Sequence, residues 1–251
     1  MSGLLELQGL SKSFGGVVAT DDVTLGFEPG TLSAIIGPNG AGKTTLFHLI
    51  TGKLPVTAGH VLLDGVEITG LDRREIVRRG IGRAFQVANL FPSFSVEDSL
   101  AAGLMAHAGR TAGLFSTFPP PDVRRQAEEV MELCGLTHLA RTESRHLSHG
   151  DQKLLDIALA LALNPKVLLL DEPTAGMGPD ERWRMIERVY RLWEVRRLTL
   201  IFIEHDMDIV FKIAQSVRVL RYGAVLAQGT PEEVRRNPAV VEAYLGAEHA
   251  L

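Results

Sequence analysis

Nine consecutive residues, Gly37-Pro38-Asn39-Gly40-Ala41-Gly42-Lys43-Thr44-Thr45, satisfy the spacing G-x-x-x-x-G-K-[ST]. Glycines let the backbone curl until successive N–H groups converge on one anion. A helix N-terminus behind them adds partial positive charge. Lys43 supplies a point charge for the β- and γ-phosphates of a nucleotide such as ATP, and the Thr44 hydroxyl is a ligand for the accompanying Mg2+. A second acidic element follows: the apolar run Val167–Leu170 ends in Asp171-Glu172-Pro173. A buried strand that delivers an Asp at its C-terminal edge is the usual partner of a phosphate loop, and here Asp171 would hold Mg2+. The adjacent Glu172 points elsewhere and can polarise a water in line with the γ-phosphate.

This chemistry needs a strand before the loop, a helix after it and a second strand beside the first. Leu32–Ile36 reads as a buried strand and Lys43–Thr51 as a helix. Upstream, LLELQGL and VTLGF read as strands, and Val61–Leu63 with Asp64-Gly65 reads as a hairpin. Asp72–Arg79 is a short helix with Asp72 as its N-cap, and Ile81–Phe85 is another strand candidate. From Val87 to Leu163 the texture is helical, with helices over Asp122–Cys134 and Gly150–Leu163 and a Gly/Pro-rich excursion within 107–121. Strands then return at Val167–Leu170, Thr199–Glu204 and Val217–Leu220, alternating with helices at Asp180–Arg196 and Asp206–Ala214. The alternation predicts an α/β fold with a mostly parallel sheet, built from both ends of the chain, with a helical insertion between.

The 251 residues carry 26 Lys plus Arg and 30 Asp plus Glu, a net charge of −4, which disfavours nucleic acid as a partner. The single cysteine, Cys134, forms no intrachain disulfide and reads as a small buried apolar residue. MSGLLELQGL has no basic n-region and no long apolar core, so no signal peptide is expected. The longest apolar runs fall far short of the ~20 residues that span a bilayer, so any membrane span must come from another chain. Ser148-x-x-Asp151 reads as a capping box for the helix to Leu163.

The ordered motifs resemble the ATP-binding subunits of ABC transporters over nearly all of the chain. GPNGAGKTT is the phosphate loop, Gln86 in RAFQ matches the glutamine loop, and LSHGDQK at Leu147–Lys153 matches the signature. VLLLDEP is the acidic strand, His205 in IEHDM matches the switch histidine, and Phe14 in SKSFGG matches the aromatic that stacks on adenine. Within the family, IEHDM and the tail GTPEEVRRNPAVVEAYLG look like the branched-chain amino-acid transporter ATPases. That tail is shared with relatives that serve urea or short amides, toward which LSHG and AGMGPDE lean.

The resemblance implies a P-loop core with an N-terminal antiparallel β subdomain, over about 1–86 and 164–251, and a helical subdomain over about 87–163. It implies two such subunits packed head to tail around two ATP molecules, as a homodimer or with a second ABC ATPase. Each nucleotide would lie between Gly37–Thr45 of one chain and Leu147, Ser148, His149, Gly150 and Asp151 of the other. Glu172, His205 and Gln86 are the implied catalytic residues, and Thr44, Gln86 and Asp171 the implied Mg2+ ligands. The subunit would sit peripherally on the cytoplasmic face of the inner membrane, driving integral-membrane permeases that receive solute from a periplasmic or extracellular binding protein. A soluble ABC ATPase of DNA or translation usually carries coiled coils or two ATPase domains, and this chain has neither. A module that senses ATP without turnover would not need Glu172 and His205.

His149 stands where the signature usually has Gly, Asp151 where it usually has Gln, and Gly178 where the family has Asp or Asn. These departures bear on contacts across the dimer. Val87, Leu90, Phe91, Phe94, Leu114, Phe115 and Phe118 are more apolar than a solvated connection needs, and they mark the expected permease docking surface beside Gln86.

Overall fold

The computed structural model describes residues 3–84, 91–110 and 118–248. In chain order the first elements are β1 (Leu5–Phe14), β2 (Val17–Phe27), β3 (Leu32–Ile36), α1 (Lys43–Ile50), β4 (Ala58–Leu63), β5 (Val66–Glu67), α2 (Arg73–Arg79) and β6 (Ile81–Ala84). Helices α3 (Val96–His107), α4 (Pro121–Cys134) and α5 (His149–Ala162) follow. The chain then runs β7 (Val167–Asp171), α6 (Pro179–Arg196), β8 (Thr199–Ile203), α7 (Met207–Ile213), β9 (Ser216–Arg221), β10 (Ala224–Gly229), α8 (Pro231–Arg236) and α9 (Pro238–Glu248).

Two sheets form. The smaller is antiparallel, in the order β2-β1-β4-β5; the larger runs β10-β9-β3-β8-β7-β6. In the larger sheet only the β10–β9 pairing is antiparallel; the other four are parallel. Strands β3, β7 and β8 are buried at every residue, because both of their faces are covered. Period-two alternation splits their side chains between two apolar clusters. Ile35, Leu169 and Ile201 join Phe27 and Phe47 on the side of the small sheet and α1. Ala34, Leu168, Leu170 and Phe202 join Leu154, Ile186 and Val210 on the side of α5, α6 and α7.

Most expected elements fall within a residue or two of their places; β1 runs four residues past LLELQGL, β4 starts three before Val61, and three differences are larger. Strand β2 starts at Val17, six residues before the apolar run VTLGF; its first half is mostly exposed, so no apolar alternation marks it. Strand β10 is an edge strand of half-exposed residues with no alternation to reveal it. Helices α8 and α9 lie in the tail, where no element was read from periodicity; α8 carries a full capping box, with Thr230 and Glu233 each bonding the other's backbone N–H. The Asp64-Gly65 hairpin is present, both residues with positive φ (54° and 72°), as a tight two-residue turn demands. Asp72 caps α2, its carboxylate accepting from Arg74 N at 2.8 Å. Cys134 is buried, and burial pushes its thiol up to about 12, as expected of a packing residue rather than a nucleophile.

Candidate nucleotide site

The loop 37–42 leaves β3 at the C-terminal edge of the parallel sheet and opens α1, the place where such sheets bind ligands. Its glycines are sterically required at two points. A Cβ on Gly37 would lie 2.2 Å from Leu220 O, and one on Gly42 would lie 2.4 Å from Ala19 O. The β9–β10 turn braces the loop, with Gly223 N donating to Ala41 O at 3.2 Å. The Ala41 side chain is core, packed with Leu46 and Phe47. Lys43 is buried, and its Nζ donates to Gly37 O (2.7 Å) and Pro38 O (3.1 Å) inside the curl. Burial lowers the Lys43 pKa, opposed by the charges of Glu172 and Asp171, which places the ammonium within the field of both carboxylates. Asn39, Gly40 and Thr44 face solvent; Pro38, Gly42 and Thr45 are half-buried. Phe14 ends β1, 46% exposed, with Lys12 Nζ 5.1 Å from the centroid of its ring.

Asp171 closes β7 and is buried; its Oδ2 accepts from Arg83 Nη2 at 2.7 Å. Burial raises the Asp171 pKa, with Arg83 pulling it back down. Its Oδ1 is buried with no partner among the described residues. A buried carboxylate oxygen left unmatched, in the field of Lys43, is a hard-oxygen donor that suits Mg2+. Glu172 adopts φ of +50°, a left-handed conformation that costs a non-glycine residue about 1–3 kcal/mol. That kink turns Glu172 away from Asp171. Its Oε1 meets His205 Nε2 at 2.8 Å, and its N–H donates to Ile203 O at 3.0 Å. Carboxylate and imidazole therefore form one hydrogen-bonded pair at the ends of β7 and β8.

Two residues that sequence reasoning passed over hold this pair. Lys153 from α5, buried, donates to the carbonyls of Glu172 and Ala175, both at 2.9 Å. Glu204, buried, accepts from Thr174 N (3.0 Å) and Thr174 Oγ1 (2.6 Å), and its Oε2 accepts from His205 N (3.2 Å). Arg83, also passed over, holds Asp171 instead. Glu204 carried a readable signal, since it follows an apolar strand just as Asp171-Glu172 follows β7.

Ser148 caps α5: its Oγ accepts from Asp151 N at 3.1 Å and meets Asp151 Oδ2 at 2.6 Å. The second half of a capping box, a bond from the Asp151 carboxylate to the Ser148 backbone, is replaced by this side-chain contact. Leu147 is core, Gly150 is buried, and a Cβ there would lie 2.4 Å from Glu181 Oε1. His149 Nε2 lies 3.4 Å from Ala175 O, over Gly176. Among the described residues no hydrogen bond joins Leu147–Asp151 to the phosphate loop of the same chain.

Gln86, Val87, Leu90, Leu114 and Phe115 lie outside the described residues. Phe91, Phe94 and Phe118 are all exposed, and the rings of Phe91 and Phe94 stack at 4.9 Å. Phe91 borders a cavity of about 640 Å3 between α2, α3 and α5, walled by Gly103, Ala106, Leu159 and Leu163 and reached by Arg83. Among the described residues no helix is long and apolar enough to cross a membrane.

Residues 20–175 match the ABC transporter family, and residues 224–250 match the family of branched-chain amino acid ATP-binding cassette transporters. The chain is 39% identical to the high-affinity branched-chain amino acid transport ATP-binding protein BraF of Pseudomonas aeruginosa, covering 97% of this chain and 98% of that one. It is 38% identical, with the same coverage, to LivG of Escherichia coli, which bears the same description. Among solved structures it resembles the ADP conformation of an ATP-binding cassette of an ABC transporter, with TM-score 0.84, 30% identity and 98% and 100% coverage of the two chains. It also resembles a dimeric bacterial ABC transporter cassette, with TM-score 0.77, 26% identity and 90% and 98% coverage. With motif order, sheet order and full-length identity in agreement, the chain belongs to the ATP-binding subunits of ABC transporters, in the branched-chain amino acid group.

Proposed function

We propose that this protein hydrolyses ATP to drive branched-chain amino acid import through integral-membrane permeases, from a peripheral position on the cytoplasmic face of the membrane. The observation that supports turnover is the Glu172–His205 pair, held at 2.8 Å beside a complete phosphate loop. The loop N–H groups and Lys43 bind the β- and γ-phosphates, and Phe14 offers an exposed ring to the base. Thr44, Asp171 and Gln86 would hold Mg2+, which supplies charge neutralisation at the phosphate oxygens. Glu172 accepts the proton of the attacking water as general base, and His205 holds the Glu172 carboxylate and contacts the γ-phosphate.

Ser148 and the start of α5 are free to serve a nucleotide bound by a second ATPase subunit, a copy of this chain or a related one. Lys153 and His149 then carry a message between sites. They tie the head of α5 to the carbonyls of Glu172 and Ala175, so the segment facing the partner's nucleotide also braces this chain's own base. The exposed Phe91–Phe94 pair and its cavity form the docking surface for the permease.

The test is ATP hydrolysis by the subunit reconstituted in proteoliposomes with its permeases and a solute-binding protein. Leucine, isoleucine or valine is expected to stimulate phosphate release. Stimulation by urea or short amides alone would assign the solute to the neighbouring groups.

A further inference from the structure

We propose that Arg83 is a positioning residue of the Mg2+ site, fixing the Asp171 carboxylate through one oxygen so that the other stays free for the ion. The proposal rests on reading Asp171 as an Mg2+ ligand. Strands β6 and β7 are parallel and in register, Arg83 opposite Leu169, so the arginine starts two residues short of Asp171 and extends along the sheet to reach it. Nη2 meets Oδ2 at 2.7 Å.

Burial separates this pair from the rest. Its side chains are 7% and 1% exposed, whereas both members of every other ion pair among the described residues are at least 21% exposed. A surface pair contributes little and is free to break; a buried one sets a geometry.

The pair is also incomplete. Arginine and carboxylate commonly form two parallel bonds, which would match both oxygens with two guanidinium nitrogens. Here only one bond forms. Among the described residues, Asp171 Oδ1 and the Nε and Nη1 of Arg83 are all buried without a partner. Leaving a buried acceptor unmatched is costly, and a second Arg83 bond would remove that cost. The guanidinium also packs against α1: its Cζ lies 5.6 Å from the centre of the Phe47 ring, on the helix that begins at Lys43. The same helix that carries the phosphate-binding lysine thus forms one wall of the Arg83 side chain. Outer-shell partners that orient a metal ligand in this way are worth about 10–100-fold in metal affinity.

The experiment measures binding of a fluorescent, non-hydrolysable ATP analogue to the full chain, in EDTA and across a Mg2+ titration, for wild type, Arg83→Gln, Arg83→Lys and Asp171→Asn. Arg83→Gln is expected to keep the EDTA affinity within about two-fold and to raise the half-saturating Mg2+ concentration about ten-fold or more. Arg83→Lys keeps the buried charge and hence the fold but loses the fork; its half-point should fall between the two. A general structural defect would instead weaken binding equally with and without Mg2+, and would overturn the proposal. So would an unchanged Mg2+ half-point in Arg83→Lys alongside a folded, unchanged Arg83→Gln. If Asp171→Asn also leaves the Mg2+ dependence intact, the reading of Asp171 fails; if only the Arg83 variants do, the reading of Arg83 alone fails.

Discussion

Lys153→Met removes the ammonium that ties α5 to the loop behind Glu172, while a side chain of similar length and volume keeps α5 packed. Two bonds are lost, to Glu172 O and Ala175 O, each 2.9 Å and charge-assisted. Bonds of that kind contribute about 1.5–3 kcal/mol each. Two facts reduce the net cost. Lys153 sits buried, and burial lowers its pKa against the opposing charges of Glu204 and Glu172, so a desolvation penalty disappears with the charge. The Glu172 carbonyl also keeps a bond from Ala175 N at 3.1 Å. A net loss of about 2 kcal/mol follows, which for a chain of this length lowers Tm by about 4–8 °C. The functional loss should be larger. Glu172 holds a left-handed backbone only because its surroundings fix it, and a shift of ~1 Å in a catalytic group costs about 100-fold. Thermal melting by circular dichroism, nucleotide affinity and steady-state phosphate release read the three effects separately. Binding should stay near wild type while kcat falls about 100-fold. A folded Lys153→Met protein with wild-type Tm and kcat would refute the reasoning, because the two bonds would then hold nothing that matters.

Glu172→Gln should bind ATP and lose turnover by about 100-fold or more, since the amide keeps the shape but accepts no proton; wild-type phosphate release would remove Glu172 from its role. Phe14→Ala should weaken ATP binding by about 1–3 kcal/mol and leave ATP and GTP poorly distinguished in both proteins, as isothermal titration can show; strong selectivity for ATP would mean that the base is read by its edge instead. Burial pushes Asp156 from 3.8 up to about 7, with Lys153 pulling it down. The folded chain thus holds this proton more tightly than the unfolded one, so the stability it gives is complete below about pH 4 and is lost as pH rises through 7. Asp156→Asn should flatten that decline and melt above wild type at pH 8; an unchanged slope would exclude Asp156 as its source.

The phosphate loop, the acidic strand and the α5 cap were legible because each is local. Glycine spacing, four apolar residues before Asp171 and Ser148-x-x-Asp151 are all short patterns written by one element. What escaped depends on packing. Lys153 and Asp156 lie three apart on α5, a spacing that reads as a solvated helix face, yet both are buried, Lys153 against the loop after β7 and Asp156 at the cavity beside Arg83. Arg83 looks like one more basic residue after Arg78 and Arg79, and only the register of β6 on β7 aims it at Asp171. Strand β10 has no buried face of its own and is a strand because β9 needs an edge partner. Family resemblance supplied roles for Gln86, His205 and Phe14 that their local sequence does not carry.

The order of strands in the larger sheet also sets when the nucleotide site can exist. Strand β3, which launches the phosphate loop, lies between β8 and β9, partners more than 160 residues further along the chain. Until residues 199–221 are available, β3 has neither neighbour, and its mostly apolar strand is left open to other chains. Contacts this distant in sequence make folding slow and leave such edges exposed during synthesis. Every loop residue is therefore made in the first fifth of the chain but takes shape only near the end of it. A fragment ending before β8 should hold the whole phosphate motif and bind no nucleotide, and on the ribosome ATP binding becomes a signal that nearly all of this protein has emerged.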